Sequence, residues 1–369
     1  MKIIESPYFF ISVLVILNLV IAFSLLPYPL KLNGDAPTYL AAMKFLQGRE
    51  YDKADYDENM EVFLKTRILT TPLMLYSSIA LGKLAGGEYN GMLLVNIVFY
   101  FLIIFIFYKL VYLIYQSHRT AFCGAVLFFT NYAMINYGVT YRTDIGGWFF
   151  FLLTTLLAVK FFNNPNNKKN YYLAILSASI GVLFKEYGAL GMIPLGILIL
   201  FLPENFLNRM KKILKAAVLF LIIPGFYHLF IYWRLGFSYL NWYGFSFKEV
   251  INNPAAPGID WSFLLLIKIL GWLFLAGWPI FIFGLYQEYR NFNKERAKIL
   301  LAILPASVSF LAWPGLTQRI AFILVPWLAM ISGYGLSRLK KKYLIAIILI
   351  IYVLINYLTR PWLMEIINI

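Results

Sequence analysis

The chain has 369 residues, of which 61% are hydrophobic and only 13% are charged. Soluble domains carry about 25% charged residues, so this composition excludes an ordinary soluble protein and indicates an integral membrane protein. The net charge of +15 comes mainly from short loops between apolar runs, which is the positive-inside pattern of membrane proteins. We therefore expect membrane lipids, and no nucleic acid, around the chain.

Apolar runs in the sequence are long enough to cross a bilayer, which takes about 17–25 helical residues. They predict an all-α polytopic membrane protein that forms one integral domain, 1–369, with about 10–12 membrane helices. The first run precedes an acidic loop, so we expect a retained helix and no cleaved signal peptide. The predicted runs are 8–27, 69–86, 91–115, 120–138, 145–162, 171–201, 213–233, 263–286, 298–313, 319–337 and 343–358.

The distribution of charge predicts the orientation of the chain. Acidic residues concentrate in the loop 28–67, which we expect to lie outside and to form interfacial helices, with the N-terminus in the cytoplasm. The basic clusters then all lie inside if 69–86 re-enters the membrane or lies along its surface. A second outer loop is expected at 234–262. The abundance of Lys, Asn and Ile is typical of a bacterial or archaeal source.

The run 171–201 is too long for one pass and contains Lys185 and Glu186 near its middle. We predict a hairpin of two short helices with this pair at its tip, within the outer leaflet. Ionisable side chains at such depth face protein or water and are candidates for function. A neutralising pair with a structural purpose is the alternative.

Asp35 follows the first apolar run and opens the outer loop. Tyr39 comes four residues later, so both side chains lie on one face of a short helix. A carboxylate at this boundary suits a base that acts on a lipid-linked substrate. Asp35 also suits a helix N-cap, with Pro37 in the first turn, and one residue can do both.

Three further outer-face candidates occur later in the chain. Arg142 and Asp144 precede the pair Gly146-Gly147, which leaves room for a ligand or for close helix packing, although Asp144 also suits a helix start. Arg319 enters a late helix from outside, where its planar fork of donors suits a phosphate group. An interfacial anchor is the alternative for either arginine. Arg67 is a candidate of the same kind.

These residues, in this order, resemble the GT-C superfamily of membrane glycosyltransferases, which includes protein O-mannosyltransferases (glycosyltransferase family 39) and aminoarabinose transferases. Its members carry an acidic motif with a Tyr after the first span, then a basic residue and a Pro, a second acidic motif, a hairpin with a charged turn, and a late Arg-to-Pro segment. The matching segments are Gly34 to Ala42, Arg67 to Pro72, Arg142 to Asp144, Phe184 to Pro194 and Arg319 to Pro326.

The resemblance implies transfer of a hexose or pentose from a polyprenyl-phosphate carrier to a glycan, lipid or protein acceptor on the outer face, with inversion at the anomeric carbon. It implies Asp35 as the base, with Asp144 as a second catalytic carboxylate that orients the acceptor. The candidates for substrate binding are Tyr39, Arg67, Arg142, Lys185, Glu186 and Arg319.

Metal use is open in the sequence. Many relatives have paired acids where the first motif here has Asp35 alone, which puts dependence on a divalent metal in doubt. A divalent metal stays an open alternative, and no other cofactor is expected. One Cys and two distant His exclude a metal site built from those residues.

Two other classes of function remain. A ligase or polymerase of surface polysaccharide is one of them; an outer loop late in the chain that is longer than 234–262 would favour it. A transporter or flippase is the other; inverted repeats and charges near the middle of the bilayer would favour it. The sequence has no self-similar halves.

Overall fold

The fold is taken from a computed structural model, which describes residues 7–25, 35–50, 60–252, 263–312 and 318–367. Throughout these ranges the regular structure is helical and contains no strand, which confirms the predicted all-α class. Large parts of the two predicted outer loops, including the acidic residues between Asp52 and Glu58, lie outside the described residues.

The first half of the chain forms nine α-helices. They are α1 (Pro7–Leu25), α2 (Ala36–Leu46), α3 (Met60–Thr70), α4 (Pro72–Ala85), α5 (Glu88–Tyr115), α6 (His118–Phe129), α7 (Tyr132–Gly138), α8 (Asp144–Asn163) and α9 (Lys168–Phe184).

A 3-10 turn at Glu186–Gly191 leads into the second half, and further 3-10 turns occur at Ser309–Ala312 and Phe322–Leu324. The α-helices of this half are α10 (Met192–Leu200), α11 (Phe206–Leu235), α12 (Tyr239–Asn252), α13 (Phe263–Phe274), α14 (Gly277–Arg290), α15 (Lys294–Ser307), α16 (Gln318–Ala321), α17 (Val325–Ser337) and α18 (Lys342–Ile367).

Five helical segments in the described ranges are long and apolar enough to span a membrane, or up to seven if two bent helix pairs each count as one span. The count is below the number of apolar runs in the sequence because several runs are divided into shorter helices. The run 263–286, for example, breaks between α13 and α14, where Leu275 has a positive φ of 42° that continues no helix. The polytopic membrane class is confirmed.

Helices α3 and α4 meet at an angle of 91°. The bend falls at Thr71-Pro72, where Pro72 occupies the first turn of α4 and has no N–H to continue the helix from α3. This bent pair forms either one broken span or a re-entrant loop. The predicted re-entry of 69–86 stays a prediction.

The predicted turn within 171–201 is present at Lys185 and Glu186. Helix α9 ends at Phe184, Lys185 is extended, and the 3-10 turn begins at Glu186. Gly147 of α8 faces this turn, and a Cβ there would lie 2.8 Å from the Cβ of Lys185. The Gly pair therefore serves close packing of α8 against the turn.

Three polar contacts hold the start of α5 and the loop before α8 in place. The Nε2 of Gln47, just after α2, donates to Glu88 Oε1 over 3.1 Å, and Arg49 forms an ion pair with the same carboxylate. Asn96 of α5 donates to the backbone carbonyl of Arg142 over 2.7 Å. These contacts bring α2, α5 and the start of α8 to one end of the helix bundle.

Candidate functional site

The carboxylate of Asp35 lies between two arginines. Asp35 occupies the N-cap position of α2, but its side chain makes no capping hydrogen bond. Instead Oδ1 is 2.8 Å from Nη2 of Arg67 and Oδ2 is 3.1 Å from Nη1 of Arg319. Helix α3 supplies Arg67 and α16 supplies Arg319. The predicted roles for Asp35 were a base and a helix N-cap. The structure shows no capping hydrogen bond from its side chain, and the carboxylate instead forms two ion pairs.

Arg67 is fixed by contacts on the same helix that carries Asp35. Its Nε donates to Thr38 Oγ1 over 3.0 Å, and its guanidinium carbon lies 4.7 Å from the centre of the Tyr39 ring. The Tyr39 hydroxyl is in turn 3.0 Å from Thr143 Oγ1. This chain of contacts ties α2 and α3 to the residue before Asp144.

Arg319 also approaches the second acidic residue. Its Nε is 3.6 Å from Oδ1 of Asp144, which is an ionic contact but too long for a good hydrogen bond. Asp144 is only 1% exposed, and its Oδ1 accepts no hydrogen bond from the described residues. Arg319 therefore bridges Asp35 and Asp144, the two carboxylates predicted to be catalytic.

Lys185 and Glu186 form an adjacent ion pair, with 3.2 Å between Nζ and Oε2. Lys185 is buried, and its Nζ lies 5.7 Å from the centre of the Tyr187 ring. The Lys185 cation is close enough to Asp35 to influence its ionisation. The pair thus belongs to the same charged cluster, which we define as Asp35, Arg67, Asp144, Lys185, Glu186 and Arg319.

Burial and charge act in opposite directions on Asp35. Burial by itself raises the pKa of this carboxyl, but the cations of Arg67, Arg319 and Lys185 together outweigh that effect and hold the pKa well below its ordinary value. Neighbouring cations favour the charged form of an acid. Asp35 is therefore ionised at neutral pH, and in this arrangement it is a weak base.

Arg142 lies beside the cluster and makes different contacts. Its guanidinium carbon is 5.0 Å from the centre of the Tyr137 ring, and no ion pair joins it to an acidic residue in the part of the chain that the structure describes. Its backbone carbonyl holds Asn96. The ion pairs and hydrogen bonds around Asp35 connect it with Arg67, Arg319 and Asp144, whereas Lys185 and Glu186 pair with each other and Arg142 packs on Tyr137.

Three polar residues that shape the site were not predicted. Thr38 and Thr143 orient Arg67 and Tyr39, and Asn96 is fully buried in α5. A lone amide within an apolar helix is a recognisable signal, because unpaired polar groups are costly in a membrane. The two threonines carry no such signal, since Thr is common in helices that pack closely.

A small apolar cavity adjoins the charged cluster. It has a volume of about 220 Å³, and its wall includes Glu186, Tyr187, Phe310 and Ile320. Glu186 belongs to the charged cluster and Ile320 follows Arg319 in the chain, so the cavity lies at the edge of the cluster. An apolar chain that carries an anionic group fits this combination of surfaces.

The described residues contain no group of three or more His, Cys, Asp or Glu that could hold a metal ion. Asp35 and Asp144 are separated by Arg319, whose positive charge lies where a shared cation would bind. The side chains in this arrangement do not fit a divalent metal.

Comparison with known proteins gives one family match. The family model for dolichyl-phosphate-mannose-protein mannosyltransferase matches residues 70–228, which contain Asp144 and the Lys185-Glu186 turn. None of the curated proteins matches the sequence.

Solved structures match over most of the chain. ArnT from Cupriavidus metallidurans in the apo state has a TM-score of 0.63 at 16% identity, over 89% of this chain and 60% of ArnT. The same enzyme bound to undecaprenyl phosphate has a TM-score of 0.59 at 14% identity, with the same coverage of both chains.

An archaeal oligosaccharyltransferase also shares the architecture. The Archaeoglobus fulgidus enzyme in its apo form has a TM-score of 0.58 at 13% identity, over 96% of this chain and 55% of that enzyme. The present chain thus spans about 60% of the length of ArnT and less of the oligosaccharyltransferase. The resemblance found in the sequence is confirmed, and the chain has the fold of the GT-C membrane glycosyltransferases.

Proposed function

We propose that the chain is a glycosyltransferase that moves a sugar from a polyprenyl-phosphate carrier to an acceptor at the charged cluster. The observation that carries the proposal is the meeting of Asp35, Arg67, Asp144, Lys185 and Arg319, from five separate segments, in a GT-C fold. ArnT has been solved with undecaprenyl phosphate, and a dolichol-phosphate complex exists for the archaeal oligosaccharyltransferase. Both ligands are lipid phosphates of the proposed class.

The phosphate of the carrier binds Arg319 and Lys185 in this proposal. A guanidinium presents paired donors that match phosphate oxygens, and the Lys185 ammonium adds a point charge. The apolar cavity next to Glu186 takes the first part of the carrier chain. As the bond between the sugar and the phosphate breaks, negative charge grows on the phosphate, where these two cations stabilise it.

Asp35 acts as the base in the transfer. The hydroxyl or amine of the acceptor attacks the anomeric carbon, its proton passes to Asp35, and the bond from that carbon to the phosphate oxygen breaks with its electron pair on the phosphate. Attack opposite the leaving group inverts the anomeric centre. A positioned base contributes typically 10²–10⁴-fold to rate. Asp144 orients the acceptor from the other side of Arg319.

The ion pairs of Asp35 require that the carrier phosphate binds before Asp35 accepts a proton. While Arg67 and Arg319 hold both carboxylate oxygens, the pKa of Asp35 is low and the carboxylate accepts a proton poorly. A bound phosphate competes for Arg319 because it is the stronger anion. When Arg319 moves to the phosphate, Asp35 loses one cation and its pKa rises. Binding of the carrier phosphate thus makes Asp35 a better base when the donor is in place.

The remaining predicted residues have positioning roles in this scheme. Arg67 holds Asp35, Tyr39 supports Arg67, and Glu186 fixes Lys185. Arg142, on its Tyr137 platform, is proposed to contact the acceptor. The positive-inside pattern of the loops supports a cluster on the outer face. The mannosyltransferase family match supports a hexose as the first sugar to test, with pentoses as the alternative.

The experiment that tests this function uses the full chain in nanodiscs with undecaprenyl phosphates that carry mannose, glucose, galactose or aminoarabinose. Release of undecaprenyl phosphate is followed by chromatography, with water or a mixed glycan fraction as acceptor. We expect one donor to be consumed by the wild type and not by Asp35→Asn. If the protein neither consumes a donor nor binds undecaprenyl phosphate, the proposal is wrong, and a transporter or a ligase becomes the better interpretation.

A further inference from the structure

A deep groove runs along the surface between α1, α6 and α18, away from the charged cluster. It consists of a cavity of about 510 Å³ and a second of about 310 Å³. The two share Phe122, Ala346 and Leu349 in their walls, so they form one continuous trough. The far end is wholly apolar and includes Leu17 and Val353. The combined space is within the range of small-molecule sites, about 300–1,000 Å³.

The near end of the groove is basic. His118 and Arg119, from the first turn of α6, and Lys342, from the first residue of α18, form part of its wall. Arg119 is fixed by a 2.9 Å hydrogen bond from its Nη2 to the carbonyl of Leu339. The His118 ring is stacked on Tyr112 with ring centres 4.2 Å apart. Two of these nitrogen-bearing groups are thus held in place before any ligand binds.

The groove opens at the membrane face opposite the charged cluster. Helix α5 begins at Glu88, beside α2, and its 28 residues span about 42 Å before the chain reaches His118. The segment Arg319–Ser337 runs the same way for 19 residues, about 28 Å, and Ser337 contacts Thr120 next to Arg119. The basic end of the groove therefore lies at the headgroup level of the other leaflet.

We propose that this groove is a binding site for an anionic glycerophospholipid. The phosphate of the lipid lies against Arg119 and Lys342, and one acyl chain follows Phe122 and Leu349 toward Leu17. The basic end of the groove matches the anionic headgroup of such a lipid, and the apolar end matches its acyl chain. Basic pockets between membrane helices on the cytoplasmic side bind acidic lipids in this way. The site is independent of the proposed transferase activity. By the predicted orientation, the lipid is in the inner leaflet.

The groove suits a lipid better than a helix from a second copy or another protein. Its basic end brings Arg119, Lys342 and the His118 imidazole into one wall at the headgroup level, where the charge of an anionic headgroup complements them. The walls between Phe122 and Leu349 are apolar over their full length, and Phe10 lies against Phe122 with ring centres 5.0 Å apart. An acyl chain fills such a trough without needing any hydrogen bond.

Native mass spectrometry of the full chain tests the proposal, with phosphatidylglycerol and phosphatidylcholine of matched acyl chains added in equal amounts. We expect the wild type to bind phosphatidylglycerol at least tenfold more tightly. Lys342→Gln should weaken that binding about fivefold, since one cation near the headgroups contributes on the order of 1 kcal/mol. Ala346→Trp should fill the trough and weaken binding of phosphatidylglycerol further.

Matched controls lie on the same helix or in the same basic cluster. Lys340→Gln removes a nearby exposed charge outside the groove, and Ile347→Trp places the same indole ring on the exposed, lipid-facing side of α18, so both should leave binding unchanged. Equal binding of the two lipids, or an equal loss in Lys340→Gln and Lys342→Gln, would overturn the proposal. So would a dimer that disappears in Ala346→Trp, because a second copy would then occupy the groove.

Discussion

Asp35 and Arg319 are separated by 284 residues and form an ion pair of 3.1 Å at the centre of the charged cluster. Arg67 holds the other oxygen of the same carboxylate at 2.8 Å. The pairing makes Asp35 a structural link between α2, α3 and α16 in the free protein. A carboxylate held by two arginines cannot easily accept a proton, so the proposed reaction requires that one of these ion pairs opens before Asp35 acts as a base.

Asp35→Asn should lower the rate of sugar transfer by about 10²–10⁴-fold, because the amide keeps the size of the side chain but cannot accept the proton. Transfer is measured as release of undecaprenyl phosphate, and folding is checked by gel filtration and thermal unfolding. Glu61→Gln is the matched control, because Glu61 is an exposed acid on α3 whose side chain pairs with Lys65. Near-normal turnover in Asp35→Asn would show that another group is the base.

The variants Asp35→Asn and Arg319→Gln should not have additive effects on stability. Each single change leaves the other partner with an incomplete set of contacts in a mostly buried place. We expect a double-mutant cycle of unfolding free energies to give a coupling of about 0.5–3 kcal/mol. A coupling near zero would mean that the ion pair does not persist in the folded protein.

The pH dependence of catalysis should differ between the free and donor-bound protein. In the free protein the pKa of Asp35 is depressed, so kcat/KM should stay level from pH 8 down to 5. In the donor complex Arg319 is engaged by phosphate, so the acid limb of kcat should lie at higher pH than that of kcat/KM. Acid limbs at the same pH in both profiles would contradict the exchange of Arg319.

The same depressed pKa predicts how stability responds to acid. The carboxyl pKa is lower in the folded protein than its ordinary value of 3.8. The contribution of Asp35 is therefore complete above that value and is lost as pH falls further, when the unfolded chain takes up a proton that the folded chain does not. The stability difference between wild type and Asp35→Asn should be constant from pH 7 to 5 and shrink only below about pH 4. A difference that shrinks already between pH 7 and 5 would be inconsistent with the ion pairs.

Gly147→Ala should displace Lys185 and weaken binding of undecaprenyl phosphate. An added Cβ would lie 2.8 Å from the Cβ of Lys185 and 3.1 Å from that of Tyr187, and such overpacking costs typically 1–3 kcal/mol. Gly196→Ala is the matched control, since a Cβ at Gly196 in α10 meets nothing within 4 Å. Binding is measured by native mass spectrometry. Equal affinity in the two variants would remove Lys185 from the phosphate site.

The sequence was sufficient to predict the helical class, the residues of the charged cluster and the turn at Lys185. The turn could be predicted because a charged pair inside an apolar run cannot be left facing lipid. It could not decide whether Asp35 caps a helix or serves in a functional site, and it did not reveal that the carboxylate pairs with Arg67 and Arg319. The local residues favour both, and the deciding partner, Arg319, is remote in the chain. The break at Leu275 was missed although Gly277 and Pro279 follow it closely, and both residue types interrupt helices; only the positive φ of Leu275 itself has no signal in the run.

The roles of Thr38 and Thr143 depend on tertiary packing alone. Each hydroxyl is useful only because α3 brings Arg67, and α2 brings Tyr39, within hydrogen-bonding distance. A sequence pattern shows how residues are spaced within one helix, but it does not show the distance between residues on two different helices.

A structure of the full chain in nanodiscs with undecaprenyl phosphate tests the proposed site most directly. We predict that the lipid phosphate lies against Arg319 and Lys185, with the carrier chain in the cavity beside Glu186 and with Arg319 released from Asp35. A phosphate bound elsewhere, with the Asp35–Arg319 ion pair intact, would contradict the proposed transfer mechanism.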